Sequence, residues 1–188
     1  AYLPNAAMAG ILFLVAWGLI DFHHIASIWS TSKSESAILW VTLVGTLMNL
    51  EAGIVAGILL SLLMYLHRTS RPGIEPLVPV VDASGYHLVD ARGKPECPQL
   101  RILRINGSAY FGAVDHIQNA LQQVDTDNPR QKSVLIVSLG MNFIDVAGAE
   151  MFAREARRRR RMGGGLYFYR MKSAAYDLLR QGNYTHEI

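Results

Sequence analysis

Residues 47–65 read LMNLEAGIVAGILLSLLMY, from Leu47 to Tyr65. The stretch is apolar enough for a bilayer, yet it carries one ionisable residue, Glu51, near its start. Together with its upstream flank it forms a run from Ile38 to Leu66 in which Glu51 is the only charge. As one straight helix this run would be roughly 43 Å long, well beyond a ~30 Å hydrocarbon core. It therefore reads either as one tilted span or as two shorter helices meeting in a hairpin. The hairpin is favoured, because Asn49, Glu51 and Gly53 cluster where a turn would fall.

Upstream, Asn5–Ile20 is uncharged and follows Pro4, which suits a first helical turn. This segment is expected to stop at the DFHH of residues 21–24, and Ser30–Ser36 (STSKSES) to form a polar loop. Candidate spans are thus about 5–20, 38–50 and 51–66. The N-terminus AYLPNAAMAG lacks a Met and a basic n-region, so it is not read as a signal peptide. The expectation is a fragment with further sequence upstream. Arg68 and Arg71 directly follow the apolar run and place that end on the cytoplasmic side.

Composition divides at the same place. The 188 residues are 51% hydrophobic with a mean hydropathy of +0.18, high for a soluble domain. Yet all but one of the 18 Lys and Arg, and all but three of the 15 Asp and Glu, lie after residue 66. The second part is net basic and large enough for its own core. Its pattern is α/β. Pro72-Gly73 is expected to open a linker, with Pro76 and Pro79 keeping the next stretch from being a central strand. Arg101–Ile105 reads as a strand, and Val114, Ile117, Leu121 and Val124 share one helical face. Ser133–Leu139 is a buried strand. A helix is expected from about Val146 to Met162, ended by Gly163–Gly165, then a strand at Leu166–Tyr169. A last helix has Ser173 as its expected N-cap and Gly182 at its close. Units this short imply a small mixed sheet with packed helices.

These motifs resemble a known family. The AGILFLVAWGLID segment and the run WVTLVGTLMNLEAGIVAGILLSLLMYLHRTSRP look like the last membrane helices of a SulP-type anion permease. RILRINGSAYFGAVDHI, VLIVSLGMNFIDVAGAEMF and LLRQGNY look like the STAS domain such permeases carry. The resemblance implies gate-domain helices over 1–71 and a cytoplasmic STAS domain over 72–188. It implies an integral membrane protein of a plasma or bacterial inner membrane, transporting a small inorganic anion such as sulfate or bicarbonate by alternating access. The anion site would lie between half-helices outside this fragment. The STAS domain would serve regulation, trafficking or dimerisation, with a homodimer and a cytoplasmic protein partner expected. The competing reading is a membrane-tethered STAS signalling module without transport.

Each candidate residue carries two readings. Glu51 is a gate or dimer-interface group, or, the favoured reading, a helix cap meeting the dipole. Gly53 and Gly57 form a GxxxG pattern for close helix approach, within the chain or across a dimer, with packing inside the chain favoured. Asp145, Val146 and Gly148 mark a loop and helix start. Asp145 is expected to cap, with Gly148 permitting close packing, or the loop docks a protein. STAS proteins that antagonise anti-sigma factors carry a phosphorylated Ser just after the matching Asp. Here Val146 and Ala147 lack a hydroxyl, which argues against phosphorylation. Arg157, Arg158, Arg159, Arg160 and Arg161 read first as a solvated helix end. Contact with anionic membrane lipid comes second, and nucleic acid is set aside for want of interleaved aromatics. The single Cys97 excludes an internal disulfide, and the scattered histidines suggest no metal. No catalytic set or cofactor motif is present, so an enzyme is not expected.

Overall fold

The computed structural model describes residues 5–21, 23, 25, 27, 29, 33–82 and 85–187. The chain forms two compact units, residues 1–64 and 65–188.

The first unit is helical. Helix α1 spans Asn5–Leu19 and stops at the DFHH segment; Ile20 and Asp21 are not helical, and His23, Ile25, Ser27 and Trp29 are helical again. Helix α2, Lys33–Met48, begins inside the expected polar loop. Lys33–Ser36 form its first turn, with Glu35 placed favourably at the N-terminal end of the dipole. Ser30, Thr31 and Ser32 lie outside the described residues. Helix α3, Leu50–Thr69, follows after Asn49 alone, and its last turn runs into the second unit. Most large apolar side chains on these helices are exposed, among them Leu12, Leu14, Leu47 and Leu63.

The second unit is a five-stranded sheet in the order β2-β1-β3-β4-β5. Its strands are β1 (Gly73–Asp82), β2 (Gly85–Asp90), β3 (Leu100–Asn106), β4 (Ser133–Val137) and β5 (Leu166–Tyr169). β1 is antiparallel to β2 and β3, whereas β3, β4 and β5 run parallel. Helices α4 (Val114–Asp127), α5 (Val146–Arg161) and α6 (Ser173–Gln181) follow β3, β4 and β5 in turn. Alternate strand residues Leu103, Ile105, Val134, Ile136 and Leu166 meet the helix residues Ile117, Leu121, Phe152, Ala156 and Leu179 in one core. The opposite face carries a smaller cluster, Leu77, Ile102 and Val137. At the start of α6 the cap position is held by Lys172 without a side-chain bond, and Ser173 is already helical.

The expected linker does not exist: Gly73 starts a strand, and that strand is internal to the sheet. Two prolines fit there because β1 changes partners midway. Pairing with β3 covers Gly73 to Leu77, and pairing with β2 covers Leu77 to Asp82. In an extended strand the N–H and C=O of one residue face the same neighbour, and successive residues alternate. The Pro76 carbonyl accepts from Ala91 N–H on the β2 side, one residue before the first β1–β2 pair. Pro79, three residues on, faces the β3 side, past the last β1–β3 pair. Neither ring removes a ladder hydrogen bond.

Phe152 is fully buried and meets Phe168 edge-on at 5.1 Å between ring centroids. Phe152→Ala is expected to cost about 3–5 kcal/mol. Hydrogen exchange at β3 and β4 amides in the intact chain, which reads this unit alone, measures it.

Candidate functional site

The parallel strands bring the segments after β3 and β4 together at one end of the sheet, and Asp145 ties them. Its backbone is extended (φ −104°, ψ −179°) and it is the N-cap of α5. Oδ1 accepts from Gly148 N–H at 2.8 Å and Oδ2 from Phe111 N–H at 2.9 Å. Its own N–H donates to the Ala109 carbonyl at 3.1 Å, and Ala109 N–H donates to Phe143 O at 2.9 Å. Gly148 presses on the same loop, where an added Cβ would sit 2.2 Å from the Ala109 carbonyl oxygen. Both carboxylate oxygens are thus engaged by backbone, and Val146, the first helical residue, stands 59% exposed. The cap was legible in the sequence. The tie to Phe111 was not, since nothing local joins positions 34 apart.

The arginine run is not a solvated helix end throughout. Arg159 has no exposed surface. Its Nε donates to Glu155 Oε1 at 2.7 Å, one terminal nitrogen donates to Leu121 O at 2.8 Å and lies 3.3 Å from Asp125 Oδ1, and the other donates to the carbonyls of Gln131 and Lys132 at 3.4 and 3.3 Å. Arg158 is partly buried and bonds Glu155 twice and Asp125 once, at 2.7, 2.8 and 2.6 Å. The Glu155 carboxylate raises the Arg158 pKa above its already high ordinary value; partial burial opposes this and Asp125 adds to it. Arg157 pairs with Glu187, and Arg160 reaches the His186 carbonyl at 3.4 Å. Lipid contact by Arg159 is therefore excluded, and Arg158 is committed to two carboxylates. The signal was available: Phe152, Glu155, Ala156 and Arg159 follow the spacing of one helical stripe.

In the first unit the small residues of α3 face α2. A Cβ on Gly53 would lie 2.2 Å from Thr46 N and 2.4 Å from Gly45 C, and one on Gly57 would lie 2.3 Å from Thr42 Oγ1. The Thr42 and Thr46 hydroxyls donate back to the carbonyls of Ile38 and Thr42 at 2.8 and 2.9 Å, so this close face is polar-satisfied. The GxxxG pattern serves packing between these two helices. The cap of α3 is Asn49, not Glu51: its Oδ1 accepts from Ala52 N–H at 3.1 Å. Glu51 sits exposed in the first turn. Among the described residues no group of three or more His, Cys, Asp or Glu is placed to hold a metal.

Comparison with known proteins gives the class: residues 89–188 match the STAS domain family, and the chain belongs to it. Its relatives group it, more narrowly, with the STAS portion of SulP-type permeases. A putative sulfate transporter, YvdB of Bacillus subtilis (strain 168), is 24% identical over 192 residues, covering 100% of this chain and 34% of the relative. Human solute carrier family 26 member 6 is 28% identical over 131 residues, covering 66% of this chain and 17% of that protein. The chain thus spans about a third or less of these relatives. The murine Solute Carrier 26 family member A9 anion transporter, solved in the inward-facing state, superposes with a TM-score of 0.74 at 17% identity. That match covers 87% of this chain and 26% of the other.

Two substitutions test the packing. Gly53→Ala forces α2 from α3 and is expected to destabilise the first unit by about 1–3 kcal/mol, whereas Gly10→Ala, with nothing within 4 Å, should not. All three tryptophans, Trp17, Trp29 and Trp40, lie in this unit, so thermal melting followed by their emission reads it alone. In the second unit Arg159→Ala opens a cavity and strips the Leu121, Gln131 and Lys132 carbonyls of their buried donor, and is expected to cost about 3–5 kcal/mol. Arg161→Ala should stay within about 0.5 kcal/mol, both measured by amide exchange.

Proposed function

We propose that this chain is the C-terminal part of a secondary transporter of small anions, of the sulfate or bicarbonate type, working by alternating access. Helices α1–α3 are the last transmembrane helices of its gate domain, and the STAS domain lies on the cytoplasmic side, serving regulation, trafficking or a homodimer. The observation that carries this reading is that one relative, a putative sulfate transporter, aligns with the entire chain, helices and sheet together. Helix α3 supports it. It is the described helix long and apolar enough to cross a membrane, with 20 residues and a mean hydropathy of 1.8. At 1.5 Å per residue it is roughly 30 Å long, the thickness of a hydrocarbon core.

Arg68 and Arg71 at the end of α3 favour the cytoplasmic side. Glu51 then falls at the far surface, where an exposed carboxylate in a helix's first turn costs little and meets the dipole. There it is available to the gate or to a second protomer. The STAS loop around Asp145, Val146 and Gly148 carries no hydroxyl to phosphorylate, so a protein partner would meet it unmodified.

The test is uptake of labelled sulfate and bicarbonate by proteoliposomes holding the full-length protein. Saturable uptake is expected, with none from residues 1–188 alone, and Glu51→Gln should slow uptake without unfolding the protein. A folded full-length protein that moves neither anion would overturn the transporter reading. The membrane-tethered signalling module would then lead, and partner capture on the STAS domain would replace uptake.

A further inference from the structure

The arginine-rich end of α5 is the wrong end of this domain to meet lipid. Strands β3, β4 and β5 are parallel, so the segments that follow them gather at one end of the sheet. Asn106, closing β3, pairs there with Gly73, the first residue of β1. His116 lies 3.2 Å from the Pro72 carbonyl beside it. The chain leaving α3 therefore enters the sheet at this end. Helix α5 starts here and runs away. It finishes where Arg159 holds the Lys132 carbonyl, just ahead of β4. Its 16 residues set the two ends roughly 24 Å apart.

The end that receives α3 is apolar where the domain needs no core. Phe111 is 77% exposed, Leu139 54%, Phe143 53% and Val146 59%. They are neighbours, because Phe111 N–H and Ala109 N–H bond to Asp145 and Phe143, and Gly107 N–H bonds to the Gly140 carbonyl. The Asp145 clamp fixes the backbone that carries them. Exposed cations flank the patch: Arg170 and Lys172 follow β5, Lys172 bonding Asn142 next to Phe143. Arg68 and Arg71 precede β1. Of the nearby carboxylates, Asp145 is fully engaged and Asp115 stands exposed in the first turn of α4.

We propose that this end of the STAS domain docks on the surface of an anionic bilayer. Phe111, Leu139, Phe143 and Val146 enter the boundary between headgroups and acyl chains, and Arg170 and Lys172 meet lipid phosphates. The chemistry is that of an interfacial anchor, apolar tips ringed by cations, held at the membrane by the adjoining span. The proposal rests on the reading of α3 as that span.

The test uses the intact chain, with Cys97→Ser removing its exposed thiol, in proteoliposomes of phosphatidylcholine with or without phosphatidylglycerol. A fluorophore is placed on a single cysteine in Phe143→Cys, Arg161→Cys or Leu59→Cys. Nitroxide-bearing lipid and aqueous iodide serve as quenchers. The expected result is strong lipid quenching and iodide protection at position 143, the reverse at 161, and lipid quenching at 59. Arg170→Gln and Lys172→Gln should each lower the docked-to-free ratio roughly fivefold in anionic vesicles, and leave it unchanged in neutral ones. If position 59 is quenched by lipid while 143 is open to iodide, the domain hangs free and the proposal fails. Shielding of 143 from both quenchers would mean that protein covers the patch, and this too overturns it. Lipid quenching absent at 59 defeats the span reading itself. That outcome takes the proposal down with it, whereas lipid quenching at 59 with iodide access at 143 sinks the docking alone.

Discussion

A guanidinium with no exposed surface must be answered on every side, and Arg159 is answered from three segments. Glu155 comes from its own helix, Asp125 and the Leu121 carbonyl from α4, and the Gln131 and Lys132 carbonyls from the stretch before β4. Desolvating such a group costs several kcal/mol before any pairing. Removing a partner is therefore far more damaging than the net worth of the pair. The arrangement acts as a registration device: α5 can meet α4 and β4 at only one height. Two neighbours depend on it. Gln131, itself buried, donates to the Cys97 carbonyl at 2.8 Å and so extends the network toward β3. Gly164 lies so close to the Lys132 carbonyl that a Cβ would come within 2.1 Å of its oxygen. At this position the turn from α5 into β5 has room only for glycine, beside the carbonyl that the arginine also bonds.

The two ends of the domain consequently invert what composition suggests. At the end of α5, where the sequence is densest in charge, the cations at 158 and 159 are consumed by internal carboxylates and carbonyls. At the other end the fold secures itself with a single carboxylate, Asp145, spent on two backbone N–H groups. The side chains left over there are apolar and exposed. Charge density along a sequence says how many ionic groups a helix carries, but the helical stripe they fall on decides whether they face water or the core.

The part of the fold that sequence reveals is the part with one consistent period. From Leu100 onward, strands with buried alternate residues and helices with one apolar face follow one another, and caps such as Asp145 mark the starts. The first two strands escaped this reading for different reasons. β1 holds two prolines, which normally exclude a central strand. They are tolerated only because the strand trades β3 for β2 at Leu77, a fact of tertiary pairing. β2, Gly85–Asp90, is short, with Tyr86 exposed and its other residues half-buried, so no alternation marks it. Among the candidate residues, Gly53 and Gly57 were legible as a small-residue face. Their partners, Thr42 and Gly45, lie on α2 and had no signal of their own. Glu51 drew attention as the one charge, but the cap belongs to Asn49. Its short side chain reaches the N–H three residues on, as N-cap residues do.

The junction between helix and sheet carries the remaining constraint. Thr69 ends α3, and Gly73 already pairs in β1. Ser70 N–H and Oγ bond the Leu66 and His67 carbonyls at 2.9 Å each, Arg71 N–H bonds Arg68 O at 3.4 Å, and Pro72 is buried. Three residues reach at most about 10 Å, and these are capped and packed rather than free. A junction this short holds one end of the sheet beside the last turn of the helix. From Leu66 to Gly73 the chain passes from helical hydrogen bonding straight into strand pairing, so the sheet begins where the helical bonds run out.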